Sequence, residues 1–288
     1  MTITRSVLLF AMAHVLTGCG SSRPVVGPSP VPSAPAPPPL SVTPVTGYVS
    51  DTAFRALAGV RVAVLDGPQA GLAATSDAAG RFSLSGQFDD ATQFRATRDD
   101  LPGATLTLTQ RCPTCAGARF LYFRLAVFDP PANVAGDYAL TFTADAACTS
   151  LPDEARARTY AVTLASTPDP LVPAGTLFRA VIAGAPVVPG NDGFPVGVAG
   201  NFVSLEVWNG EGPGVVERLA PKTYVGLFGY AGTTVTSSDA PITAAFDGTI
   251  EYCVASTDGT PAYGCTSVAT ERREQCASKN HRVTLTRR

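Results

Sequence analysis

Gly136-Asp137-Tyr138-Ala139-Leu140-Thr141-Phe142-Thr143-Ala144 alternates apolar and polar side chains with a period of two. In an extended chain successive side chains point to opposite faces. Tyr138, Leu140 and Phe142 therefore share one face, and Thr141 and Thr143 the other, as in a strand with one side buried. The pattern recurs at Thr159–Ala165, Leu177–Ala183, Phe194–Val198, Phe202–Trp208, Val215–Leu219, Thr223–Tyr230, Ile242–Val254 and Arg282–Thr286. Asn209-Gly210, Asp247-Gly248 and Asp258-Gly259 punctuate these runs as turns. Residues 268–278 (VATERREQCAS) are expected to add no more than a short helical turn. About eight or nine strands in meander order over residues 133–288 predict an up-and-down β-barrel, whose closure removes exposed edges.

Upstream, residues 45–130 read as a smaller all-β unit. Strands are expected at Val45–Ser50, Val60–Leu65, Arg81–Ser85, Gln93–Thr97, Thr105–Thr109 and Ala118–Val127. Asp66-Gly67-Pro68, Asp77-Ala78-Ala79-Gly80 and Leu101-Pro102-Gly103 are turn signals between them. Short strands at this spacing predict a β-sandwich. The fold class is thus all-β, a sandwich followed by a barrel. The 27 Gly and 25 Pro in 288 residues fit many turns and short strands better than long helices.

The N-terminus carries Arg5, then the apolar run Val7–Leu16 (VLLFAMAHVL), then Leu16-Thr17-Gly18-Cys19. Ten helical residues span about 15 Å, half a bilayer core, so this run does not cross a membrane. Residues 1–18 read as an export signal. Leu-Thr-Gly-Cys in this position resembles the lipobox of bacterial lipoproteins. That resemblance implies a diacylglyceryl group on the Cys19 thiol, cleavage before Cys19, and acylation (typically palmitate) of the new N-terminus. Gly20 stands where an Asp would resemble an inner-membrane retention signal, which points to the outer membrane. Residues 19–44 are a proline-rich tether. From Pro24 to Pro44 it reaches roughly 65 Å as polyproline II.

Two further resemblances concern the folded part. Gly47-x-Val49-x-Asp51, Leu57-Ala58-Gly59-Val60-x-Val62-x-Val64 and Thr75-x-Asp77-x-x-Gly80-x-Phe82-x-Leu84 resemble the carboxypeptidase regulatory-like, or transthyretin-like, domain. This implies a non-catalytic spacer or binding module, in some members carbohydrate-associated. Gly136-Asp137-Tyr138 and His281-Arg282-x-x-Leu285-x-Arg287 resemble the two ends of a lipocalin-type barrel, with Tyr138 in place of the usual Trp. In that family a basic residue near the end packs across the ring. Cys148-x-x-Leu151-Pro152, Arg156-x-Arg158-x-Tyr160, Glu217-x-Leu219 and Cys276-x-x-x-Asn280-His281-Arg282 are similar to the C-terminal barrels of lipoproteins of soil bacteria.

Seven cysteines is an odd number. Assigning Cys19 to lipid leaves Cys112, Cys115, Cys148, Cys253, Cys265 and Cys276, an even set that fits disulfides in an exported chain. The favoured pairing is Cys112–Cys115, Cys253–Cys265 and Cys148–Cys276, with exchanges among the last four left open. Cys112-Pro113-Thr114-Cys115 lies between strands, not at the helix N-terminus a redox pair uses. No zinc-ligand spacing accompanies it, so no metal or cofactor is expected.

A net charge of −2 without a basic stripe excludes the electrostatic footprint of a nucleic-acid binder. No nucleophile elbow is present, and His281 is the one histidine after Cys19. Asp89-Asp90 and Asp99-Asp100 read as solvated turns, so no catalytic residues are assigned. A barrel of this size encloses side chains or one small ligand. Trp208, Tyr224, Phe228, Tyr230 and Tyr252 are the candidate lining, with Tyr224, Phe228 and Tyr230 sharing strand parity. The expectation is a non-enzymatic lipoprotein held to the membrane through Cys19, its barrel binding a small hydrophobic ligand or an envelope partner. The alternative is a structural or adhesive surface module, in some versions carbohydrate-associated, with a filled barrel.

Overall fold

A computed structural model describes residues 44–108, 119–172, 176–207, 214–237, 240–257 and 259–288. The chain is all-β, as expected. Seven strands form the first module: β1 (Val45–Asp51), β2 (Arg61–Val64), β3 (Ala73–Thr75), β4 (Arg81–Leu84), β5 (Gln93–Arg98), β6 (Leu101–Thr107) and β7 (Phe120–Leu125). They make a three-stranded sheet, β4-β1-β7, and a four-stranded sheet, β3-β2-β5-β6. Val45, Val49, Phe82, Leu121 and Phe123 on one sheet meet Val62, Val64, Phe94 and Leu106 on the other in one apolar core. Strand β1 lies in the middle of its sheet, antiparallel to β4 and parallel to β7.

One turn expectation is corrected. Leu101-Pro102-Gly103 opens strand β6, and the reversal falls at Asp99-Asp100. Pro102 is tolerated there because β6 is the edge of its sheet, where no ladder N–H is required.

The second module is a closed barrel. Its strands are β8 (Gly136–Thr143), β9 (Ala157–Pro168), β10 (Thr176–Ala183), β11 (Gly193–Ala199), β12 (Phe202–Glu206), β13 (Val215–Ala220), β14 (Thr223–Thr234), β15 (Ile242–Ala255) and β16 (Thr270–Arg287). Each pairs antiparallel with its neighbour, and β16 returns to β8, from Arg282↔Thr143 to Arg287↔Tyr138. Strands β12 and β13 lie along the same edge of β14, at Phe202↔Thr234 to Glu206↔Tyr230 and then Val215↔Leu227 to Ala220↔Thr223. They behave as one interrupted strand, so eight positions close the ring.

Two segments differ from the sequence expectation. Residues 270–278 extend β16 instead of forming a helical turn, because β15 pairs with them as far as Ala255↔Thr270. Asp247-Gly248 lies inside β15, not at a turn, with a register shift between Phe246 and Gly248. There Gly248 faces Gly229 across the ladder, and Gly229 takes φ 147°. A Cβ at Gly229 would lie 2.6 Å from Gly248 Cα. This bare pair lets the β14–β15 hairpin bend around the barrel.

The modules are joined by a specific contact. The Asp51 carboxylate accepts hydrogen bonds from the Ala53 amide (2.8 Å), the Arg55 amide (3.0 Å) and Arg55 Nε (2.7 Å). The tight turn so made holds Phe54 at φ 63°, a conformation uncommon for a bulky residue. Its backbone and Phe54 sit on the outer wall of the barrel at Gly197, where a Cβ would come within 2.7 Å of Phe54 Cε2 and of the Thr52 carbonyl. Ser204 Oγ donates to the Ala53 carbonyl (2.7 Å), and Arg55 stacks 4.3 Å over the Phe202 ring. Beside them Arg124 and Asp169 form a buried ion pair (2.8 Å, side chains 9% and 1% exposed). The Arg124 guanidinium lies 4.7 Å over Phe54 and 5.4 Å from the Tyr122 centroid. These ring faces accompany its Nε, which has no hydrogen-bond partner among the described residues.

Gly197→Ala should therefore wedge the modules apart at a cost of about 1–3 kcal/mol, the usual range for overpacking. Calorimetry of the wild type should show one melting transition, and the variant an earlier, separate sandwich transition with faster proteolysis at residues 126–135. A single transition at unchanged temperature would refute the coupling.

Candidate functional site

The barrel interior is occupied by side chains. Tyr138, Leu140 and Phe142 from β8, Tyr160, Val162 and Leu164 from β9, and Phe178 from β10 face inward. Phe194, Val203, Leu205, Val225, Leu227, Phe246, Val283 and Leu285 meet them in a single buried cluster. Phe142 contacts Phe246 edge-on at 5.2 Å and Tyr160 at 6.4 Å. At one end Arg287 lies 5.1 Å from the Tyr138 ring centroid, and Tyr138 Oη donates to the Val134 carbonyl. At the other end Leu151 and Ala155, flanking and within a short helix, α1 (Asp153–Arg156), close over the core.

That second end gathers the stretches Cys148-x-x-Leu151, Arg158-x-Tyr160, Glu217 and Cys276…His281. Arg158 grips the buried Glu217 carboxylate with both guanidinium edges, Nε lying 2.8 Å from Oε2, and Tyr160 Oη donates to the same oxygen at 2.9 Å. Burial, then the Glu217 charge, pushes the Tyr160 phenol far above its ordinary range. Cys148 is bonded to Cys276 across 128 residues, and Cys253 to Cys265 across 12. Both are the favoured pairings. Cys112, Cys115, Cys19 and Trp208 lie outside the described residues.

The candidate lining residues separate. Tyr224, Phe228 and Tyr230 do share parity, but it is the outward one. Inward positions on β14 are Val225, Leu227 and Ala231. Tyr224 joins Val188, Val216, Cys253 and Cys265 in a cluster outside the barrel, with Phe228 against it, and Tyr230 is 57% exposed. Only Tyr252 of the described set faces the core, with Arg272 5.3 Å over its ring. Alternation along β14 was legible, whereas which parity faced inward depended on barrel closure.

Ser278, His281 and Asp145 come together without forming a nucleophile system. Ser278 Oγ donates to Asp145 Oδ2 (2.6 Å), and the Asp145 amide donates to His281 Nδ1 (2.9 Å). His281 Nε2 lies 3.3 Å from the Cys276 carbonyl, so both ring nitrogens are engaged by the backbone. The paired acids also serve turns: Asp89 Oδ1 accepts from Ala91 N and Thr92 Oγ1, and Asp100 pairs with Arg98. Among the described residues no cluster has the makings of a metal site.

The surface with coherent chemistry is the outer face of β4-β1-β7. On β1 the valines at 45 and 49 point into the sandwich, which turns Thr46, Tyr48 and Ser50 outward. On β7 the same alternation turns Phe120, Tyr122 and Arg124 to this face, the first two half-buried and Arg124 buried in its ion pair with Asp169. Register then sets these residues in ranks across the sheet: Arg81, Tyr48 and Tyr122 in one, Ser83, Thr46 and Phe120 in the next. The Tyr48 and Tyr122 rings stack at 5.6 Å with a 19° interplanar angle. Ser50 Oγ lies 2.9 Å from Tyr122 Oη. A cleft of about 410 Å³ opens here, lined by Thr46, Tyr48, Arg81, Phe82 and Phe120. Burial foremost, then the Tyr122 phenol and the Glu206 carboxylate of the barrel wall, push the Tyr48 hydroxyl up to about 12. Burial also raises Tyr122. Both phenols are hydrogen-bond donors at neutral pH. Sequence alternation marked β1 and β7 as strands, but their parallel pairing, which aligns the tyrosines, joins segments more than 70 residues apart.

No family model, curated protein or solved structure matches the chain. The fold and site thus rest on the residues alone.

His281 gives a pH test of the closed end. Burial holds its pKa below the ordinary histidine value near 6.5, so the native state prefers the neutral ring. Its contribution is fully present above pH 6.5 and is lost as pH falls through the lower native value. The melting temperature should drop between pH 7 and pH 5, and His281→Gln should flatten that slope. Equal slopes would assign the drop to other groups. Separately, Cys148→Ser with Cys276→Ser should cost about 4–5 kcal/mol by the loop-entropy relation, read by denaturant titration.

Proposed function

We propose that the chain is a lipid-anchored cell-envelope lipoprotein, attached through Cys19 to the outer membrane, whose sandwich and barrel form a non-enzymatic binding body. It works through its exterior rather than through a ligand enclosed by the strands. The observation that carries this reading is the filled barrel: Tyr138, Phe142, Phe194 and Phe246 are each less than 2% exposed and occupy the space the strands enclose. A barrel closed at one end by α1 and at the other by the Tyr138–Arg287 contact has the character of a rigid support. Anchoring is supported by Leu16-Thr17-Gly18-Cys19 behind its apolar run and by the proline-rich stretch that follows. Two disulfides fit an oxidising compartment beyond the cytoplasm. The cleft over Tyr48 and Arg81 is the contact surface assigned to this body.

Cell fractionation tests the anchor. The wild type should sediment with membranes and incorporate labelled palmitate, and Cys19→Ser should do neither; a variant still attached to membranes refutes it. Native mass spectrometry of the purified protein should give the acylated chain alone, whereas a co-purifying apolar molecule would return binding to the barrel interior.

A further inference from the structure

The cleft over β4, β1 and β7 combines features that together narrow its ligand. Its floor is aromatic and preorganised. Tyr48 is held by its stack on Tyr122, and Tyr122 by the Ser50 hydroxyl, so binding need not freeze either ring. The next rank adds Phe120 beside the Thr46 hydroxyl. At one margin stands Arg81, directly opposite Tyr48 in the ladder. Its backbone amide is tied to Asp77, which fixes the strand start, while among the described residues no carboxylate lies within 4 Å of its guanidinium. The volume, about 410 Å³, lies within the range of small-molecule sites.

Aromatic faces take the apolar C–H face of a sugar ring. Phenol and threonine groups meet hydroxyls, and an arginine with no carboxylate beside it among the described residues takes one from a ligand with both of its edges. A purely apolar ligand would leave Arg81 and the phenols unused. A phosphodiester chain would need more cations than Arg81, the one cation among the described residues lining the cleft.

We propose that this sheet face binds an acidic saccharide, a uronate-bearing glycan, with one sugar ring on the Tyr48–Phe120 floor and its carboxylate on Arg81. The proposal rests on the reading of the molecule as an exterior binding body. It does not depend on the lipid, whose test is fractionation.

The experiment is calorimetric titration of the full-length acylated protein in detergent micelles with trigalacturonate, alongside neutral cellotriose and a proline-rich peptide. Trigalacturonate should bind, more weakly as salt rises, and cellotriose at least tenfold more weakly still. Arg81→Gln should lose about ten- to a hundredfold, the worth of one charge-assisted contact. Tyr48→Ala should abolish binding. Tyr48→Phe, which keeps the stack, should lose severalfold. Arg61→Gln, on the other sheet, should match the wild type, and thermal melting of each variant checks folding. Equal binding of cellotriose, indifference to Arg81→Gln in a folded variant, binding of the peptide alone, or no saccharide binding would each overturn the proposal. None of these would alter the fractionation result.

Discussion

One buried carboxylate organises the molecule. Asp51, 1% exposed at the end of β1, would be costly to bury without partners. It satisfies itself locally, taking two backbone amides and the Arg55 side chain within four residues. That set of bonds enforces a turn with Phe54 in the left-handed region, a strain that persists only because the surroundings determine it several times over. The turn becomes a wedge against Gly197, brings Arg55 over Phe202, and leaves Arg124 to meet Asp169.

Local pattern carried most of the fold. The alternation of Tyr138, Leu140 and Phe142 gave both the strand and its buried face, because period two and one-sided burial are local properties. The sequence favoured Cys148–Cys276 and Cys253–Cys265 but left exchanges among these four open, and closure of the ring decides them. Long-range pairing was not legible. Strand β16 runs through a polar stretch, VATERREQCAS, whose strand state comes only from the partner β15. The short edge strand β3, three residues long, left no periodic trace. Pro102 and Gly103 read as a turn because sequence does not say that β6 is an edge.

The candidate site failed in the sequence for a related reason. Its residues are ordinary outward positions of β1, β4 and β7, and they form ranks only after a parallel pairing that spans the sandwich. The aromatics that did attract attention, Tyr224 and Phe228, serve an outer apolar cluster under the loop closed by Cys253–Cys265. The same sharing of parity suits a cavity lining or an outer patch. Only closure of the ring decides between them. The barrel is filled with its own aromatic side chains, and the sandwich is set against its outer wall.

The placement of β1 has a mechanical consequence. The chain enters the sandwich at Val45 and leaves it after Leu125, and β1 and β7 run parallel through six consecutive register pairs from Thr46↔Phe120 to Asp51↔Leu125. A pull between the chain before Val45 and the barrel after Leu125 draws these strands along their own axes in opposite senses. The ladder is loaded in shear, so its hydrogen bonds resist together instead of opening one at a time. With β4 gripping the other edge of β1, the strand that carries Tyr48 is also the one built to bear tension.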